Sequence, residues 1–431
     1  MKIIEGFNQV KAALSRQALK SAPAADEREQ LVRQIVRDVK EQGDAAVREY
    51  TEKFDGVKLT SLEVDKAQID HAYKEMDKEL LAALKQAAER ITAYHKEQKK
   101  MLLHDSKSKK LGWLIRPLQK VGVITPGFTA PLPSSLLMTA IPARVAGVKE
   151  ILLMTPPGKQ GSVAPVTLAA AAIAGIDRVF SIGGAQAVAA LAYGTESVPK
   201  VDKICGPGAI YGQLAKKMVY GEVGIDGLYG PSEVIIIADD TANPVYCAAD
   251  LLAQAEHGSG ASAIMITTSR EMAAKVNREI EKQLQNLARG AIAAESLEKN
   301  GLIAIVDSID NAIELANQYA PEHLCLIVAK AASYIDKVKN TGCLFIGENS
   351  VEALVDYVAG PSHVLPTEGT ARFGSGLSIL DFVKLISVVN MDEKDIKQLG
   401  GATSIIARAE GLDAHARAVA KRLENTEQGG I

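Results

Sequence analysis

Between residues 121 and 267 the chain alternates short β-branched runs with helical segments, and no other feature limits its fold so sharply. Strands are expected at 121–125, 151–154, 179–182, 203–205, 234–238 and 263–267, with helices at 135–146, 166–174, 185–193, 210–219 and 245–255. Three more strands are expected at 302–306, 324–328 and 344–346. A strand, a helix and another strand in succession form a βαβ unit, whose two strands run parallel. About nine such strands exceed one small sheet, which points to two α/β lobes. The first hundred residues read as helical instead: Leu31, Ile35 and Val39 recur every four positions, and Leu80, Leu84, Ala87, Ile91 and Tyr94 continue the pattern.

Composition excludes several classes of function. Aromatic residues are 4% and the net charge is −3, without a basic stripe, so nucleic acid is not an expected partner. The apolar run at 164–174 is about half of what a bilayer requires, and the first residues carry no apolar signal region. A cytoplasmic protein with no membrane partner is expected. The four cysteines, at 205, 247, 325 and 343, form no CxxC pair, which argues against a thiolate metal site or a dithiol redox centre.

Glycine turns stand where parallel sheets bind ligands, at the carboxyl ends of strands: Gly183-Gly184, Gly206-Pro207-Gly208 and Gly230-Pro231. None completes a GxGxxG fingerprint, so a dinucleotide would have to bind without it. The histidines carry the chemistry. Gln254 and His257 are three apart at a helix end, a spacing that suits two metal ligands on one face, or simply a capped helix end. Asp356 offers a hard anionic donor, and His363 or His415 a further nitrogen. Such a set without thiolate suits Zn²⁺ or Mn²⁺. Glu322-His323 is different, since adjacent side chains diverge and rarely share one ion. They read as two proton-transfer groups with separate duties, or as a satisfied surface pair.

Taken together these segments resemble the histidinol dehydrogenase family. The likeness is carried by Gln254-Ala255-Glu256-His257-Gly258, Ala320-Pro321-Glu322-His323-Leu324 and His363-Val364-Leu365-Pro366-Thr367. It extends to Gly183-Gly184-Ala185-Gln186-Ala187, Gly230-Pro231-Ser232-Glu233-Val234 and the stretch from Glu410 to His415. The resemblance implies an enzyme that oxidises L-histidinol to L-histidinal and then to L-histidine, consuming NAD⁺ twice. It implies zinc held by Gln254, His257, Asp356 and His415, with Mn²⁺ as the alternative ion. His323 would be the base and Glu322 the activator of water. Ser232, His363 and Glu410 would bind the substrate beside Gln254, His257, His323, Asp356 and His415. It implies an intertwined homodimer, with Glu410 and His415 reaching the partner's site.

The expected architecture is α/β, with two incomplete Rossmann-like lobes of parallel-rich sheet. A helical N-terminal segment spans 1–22, a discontinuous first lobe 23–120 plus 235–378, an inserted second lobe 121–234, and a helical dimerisation arm 379–431. At the cofactor positions Gln186 is retained. Ile124 and Ala209 replace the polar residues common in the family, Phe128 replaces a glycine, and Tyr229 stands where a small residue is usual. These departures keep open a paralogue acting on another small polar alcohol, such as a sulfonated diol, or a non-catalytic member that binds metal or metabolite.

Overall fold

The computed structural model describes residues 1–15, 25–106, 110–127 and 131–428. The chain forms two compact units: Met1–Lys99 with Pro117–Phe382, and Lys100–Arg116 with Val383–Ile431. In chain order the strands are β1 (Lys2–Glu5), β2 (Leu111–Pro117), β3 (Lys120–Ile124), β4 (Glu150–Met154), β5 (Arg178–Phe180), β6 (Lys203–Cys205) and β7 (Gly224–Ile225). They continue as β8 (Glu233–Ala238), β9 (Ser262–Thr267), β10 (Leu302–Ile305), β11 (His323–Ile327), β12 (Cys343–Ile346) and β13 (Val383–Val389).

The first unit holds two sheets, ordered β5-β4-β3-β6-β7 and β1-β10-β9-β8-β11-β12. Every pairing in both is parallel. In each, the chain winds outward through three strands and then returns to the other side of the first. That reversal creates a switch point between β3 and β6 in one sheet and between β8 and β11 in the other. The sequence of β8 shows why these strands are unbroken apolar runs. Val234, Ile236 and Ala238 enter the core on one face of the sheet, and Ile235 and Ile237 the core on the other. Side chains alternate along a strand, and helices cover both faces, so no position is left for water.

Two sequence expectations are corrected here. Residues 1–22 were expected to be helical, but Lys2–Glu5 forms an edge strand beside β10 ahead of the short helix Phe7–Ala13. Residues 16–22 lie outside the described residues. The helices Ala25–Gln42 and Asp44–Asp55 were assigned with 235–378, yet they pack on the five-stranded sheet. Val32, Ile35, Val39, Val47 and Tyr50 share a core there with the Ala-rich helix Gly184–Tyr193, whose small side chains admit a close neighbour.

In the second unit β2 pairs with β13, so the expected helical arm 379–431 contains a strand. Its helices Glu393–Ala409 and Asp413–Gln428 pack on each other, the first opened by a capping box between Asp392 and Asp395. Among the described residues no helix is long and apolar enough to cross a membrane.

Candidate active site

A pocket of about 180 Å³ in the first unit is lined by Ser232, His257, Glu322, His323, Asp356 and His363, facing Pro126 and Pro207. Ser232 precedes β8 and His323 opens β11, so this wall is the amino edge of the six-stranded sheet. Pro126 and Pro207 follow β3 and β6, so the facing wall is the carboxyl edge of the five-stranded sheet. The expectation of a site at carboxyl ends therefore describes one wall only. The helix Pro244–Ala255 runs back from the carboxyl end of β8 and delivers Gln254 and His257 to the amino edge.

Gln254 is fully buried, and neither its amide oxygen nor its nitrogen has a hydrogen-bond partner. Buried amides are almost always satisfied, so a doubly orphaned one marks a place built for something else. One ligand atom from each of His257, Glu352 and Asp356 lies within 4.8 Å of the others. Burial pushes the Asp356 carboxyl up to about 6, opposed by His257, while burial lowers the His257 imidazole, opposed by Asp356. A cation among them would reverse the carboxyl shift, and nitrogen and oxygen donors of this kind fit Zn²⁺ or Mn²⁺. Glu352 was not singled out from the sequence. Its signal was the spacing to Asp356, one turn along the short helix Glu352–Tyr357.

Glu322 and His323 are both buried. Glu322 accepts a hydrogen bond from the Glu233 amide at 2.9 Å, and burial nevertheless holds its carboxyl well above the usual carboxylate range. His323 Nδ1 lies 3.4 Å from Glu352 Oε1 and 3.8 Å from Glu322 Oε2, and Nε2 lies 4.0 Å from Asp356 Oδ1. Neither ring nitrogen is in a hydrogen bond. Burial, with the nearby His257 imidazole, pushes the His323 ring down to about 3, so it is neutral. His363 is held more firmly. Its Nδ1 donates to the Asp356 carbonyl at 2.7 Å, which leaves Nε2 to accept from the Ser135 hydroxyl at 3.0 Å.

Ile124, Gln186 and Ala209 line a second, mostly apolar cavity of about 430 Å³ at the carboxyl edge of the five-stranded sheet. Its mouth shares Pro126 and Pro207 with the first pocket. Gly206, at φ 111°, is obligatory, because a Cβ there would collide with the Ile124 carbonyl oxygen. A fully buried Lys216–Asp226 pair at 2.5 Å holds this turn: Asp226 accepts from the Gly206 amide and Lys216 donates to the Gly206 carbonyl. Tyr229 packs its ring 4.8 Å from the Lys216 ammonium, which accounts for a bulky residue at that position. Two polar groups of the wall, the Thr125 hydroxyl and Asp55 Oδ2, are buried without a partner. An apolar cavity with orphaned acceptors and donors fits a dinucleotide. Phe128 lies outside the described residues. Glu410 and His415 belong to the second unit, where both are exposed.

The histidinol dehydrogenase family model matches residues 19–423. The chain is 53% identical to the histidinol dehydrogenase of Dehalococcoides mccartyi (strain CBDB1), covering 98% of this chain and 100% of that one. It is 50% identical to the enzyme of Bacillus cereus (strain ATCC 14579), over 91% and 92% of the two chains. Its structure is similar to the crystal structure of histidinol dehydrogenase from Elizabethkingia anophelis, with a TM-score of 0.93 at 36% identity over 99% of each chain.

Proposed function

The chain belongs to the histidinol dehydrogenase family, and from that premise we propose how its own residues carry out the reaction. It is an oxidoreductase of histidine biosynthesis that acts on a small molecule. The alcohol of L-histidinol is taken to the aldehyde, and the aldehyde, through its hydrate, to the carboxylate. Each oxidation removes a hydride from carbon and a proton from oxygen, so each half needs a base. NAD⁺, held in the cavity lined by Ile124, Gln186 and Ala209, would supply the hydride acceptor for each half, two per substrate.

His323 takes the hydroxyl proton in the first half. It is neutral and buried in the pocket, so a ring nitrogen can accept. The imidazolium that forms is stabilised by Glu352, 3.4 Å from Nδ1. Glu322 takes the proton of the water that adds to the aldehyde. Its burial raises its proton affinity above that of an ordinary carboxylate, which suits a base. Ser232 and His363, with Glu410 of the partner subunit, orient the substrate. Zinc, or Mn²⁺ in its place, would be held by Gln254, His257, Asp356 and His415 of the partner subunit, and would supply the charge that fixes the substrate's amine and imidazole. Excluding bulk water protects the aldehyde between the two steps.

The observation that carries this reading is the neutral, buried His323 in one pocket with His257 and Asp356, together with a Gln254 amide buried without a partner. The homodimer is supported by the second unit, which exposes Leu385, Val389, Leu399, Ile405 and Ile406. Apolar surface of this density marks an interface. Light scattering should then report twice the 45.8 kDa chain mass. We assign the protein to the cytoplasm, where amino-acid biosynthesis draws on NAD⁺.

The test is NADH formation from L-histidinol. Two equivalents per substrate are expected, lost after chelation and restored by Zn²⁺. A metal-loaded dimer that reduces no NAD⁺ with L-histidinol would overturn the proposal, and turnover of a sulfonated diol in its place would mark a paralogue.

A further inference from the structure

The cavity of about 430 Å³ contains an acid for which nothing in the structure supplies a partner. Asp55 ends the helix Asp44–Asp55 and lines the cavity together with Leu31, Ile35, Phe54 and Ile124. Its Oδ2 is buried and accepts no hydrogen bond. Burial alone pushes the carboxyl up to about 6, and no cation offsets it. The site at a helix carboxyl end is adverse for an anion as well, because the backbone carbonyls there already carry partial negative charge. An unpaired carboxyl in so unfavourable a position destabilises the free protein, and two donors from a ligand would relieve it. Thr125, whose buried hydroxyl is likewise without a partner, opens the same cavity just beyond β3.

The rest of the wall limits what the ligand can be. It is mostly apolar, with Gln186 and several glycines of the strand-end turns, and it lacks the complete glycine fingerprint that cradles a pyrophosphate in the usual way. A flat base with a ribose diol matches such a wall: the base takes the apolar surface, and the diol presents two adjacent O–H donors to one carboxylate. We propose that Asp55 accepts the ribose 2′- and 3′-hydroxyls of the adenosine half of NAD⁺ and thereby excludes the 2′-phosphorylated cofactor. A 2′-phosphate removes one donor and sets a dianion against a carboxylate in a low-dielectric wall. This inference rests on the NAD reading given above and names the residue that sets its cofactor preference.

Calorimetry on the zinc-loaded full-length protein, without substrate, tests it. The wild type should bind NAD⁺ at least about tenfold more tightly than NADP⁺. Asp55→Asn should weaken NAD⁺ by about ten- to a hundredfold, the worth of hydrogen bonds to a charged group, and leave NADP⁺ unchanged or tighter. The wild type should also bind the NAD⁺ analogue that lacks the adenosine 2′-hydroxyl about tenfold more weakly, a measurement that needs no variant. Unchanged NAD⁺ to NADP⁺ selectivity in Asp55→Asn, or full affinity for the deoxy analogue, overturns the role of Asp55 alone. A wild type that binds neither nucleotide at millimolar concentration overturns the dehydrogenase reading and this inference with it.

Discussion

Glu352 Oε1 stands 3.4 Å from His323 Nδ1, both groups are buried, and neither ring nitrogen of His323 is otherwise bonded. Each partner explains the other. Burial pushes the His323 ring down to about 3, so it is neutral, and burial raises the Glu352 carboxyl above the usual carboxylate range. In its ionised form Glu352, 3.4 Å from Nδ1, would stabilise the imidazolium formed when Nε2 takes a proton. Glu352 is therefore placed to fix the ring and stabilise its charged form, a role that removing its charge tests.

Glu352→Gln keeps the shape and removes the charge. It should lower kcat by about ten- to a hundredfold, with KM for L-histidinol changed less than about threefold. Zinc content measured on the same preparation separates the two roles open to a carboxyl this near His257. Retained zinc fits positioning, and lost zinc would make Glu352 a ligand.

His323→Asn and Glu322→Gln should cut turnover by about a hundred- to ten-thousandfold while leaving zinc in place. His257→Ala should abolish bound metal. Elemental analysis beside steady-state rates distinguishes these classes, and metal loss in His323→Asn would show that the roles are misassigned.

The sign of the pH dependence follows from Asp356 and His257. Asp356 must lose its proton to ligate, and burial has moved that loss up to about 6. Protons compete with the metal below that value, so zinc affinity should rise as pH increases through about 6 and level off above it. Competition with a chromogenic chelator at pH roughly 5 to 8 reads this directly. An affinity flat across pH 5 to 7 would exclude Asp356 as a ligand.

His323 makes the stability of the metal-free protein depend on pH with a definite sign. Its ring titrates near 6.5 when unfolded and near 3 when folded. Between those values the unfolded chain binds more protons, so this group's contribution is complete above about 6.5 and is lost as pH falls toward 3. Thermal melts of the chelated protein at pH 7 and 5 should show a smaller loss in His323→Asn than in the wild type.

The parallel sheets were legible because each strand is buried on both faces and so reads as an uninterrupted β-branched run. His257 was legible because it stands just past the end of the helix Pro244–Ala255 in an acid-bearing segment, and the structure brings it to Asp356. The choice of sheet edge was not. Residues 323 and 233 look alike whether they begin a strand or end one, and only the return of helix Pro244–Ala255 fixes the amino edge. Lys2–Glu5 escaped notice because four residues carry too little periodicity, and it takes its structure from pairing with β10. Glu352 and Asp55 were missed for a common reason. Each acquires meaning from its surroundings in space, Glu352 from His323 across the pocket and Asp55 from the cavity it lines, which a sequence does not display.

Diffraction data collected on either side of the zinc absorption edge, from crystals grown with Zn²⁺, test the central claim most directly. One anomalous peak per chain is expected, in contact with Gln254, His257 and Asp356 and with His415 of the partner subunit. A peak elsewhere, or these side chains in place with no peak among them, would contradict the account.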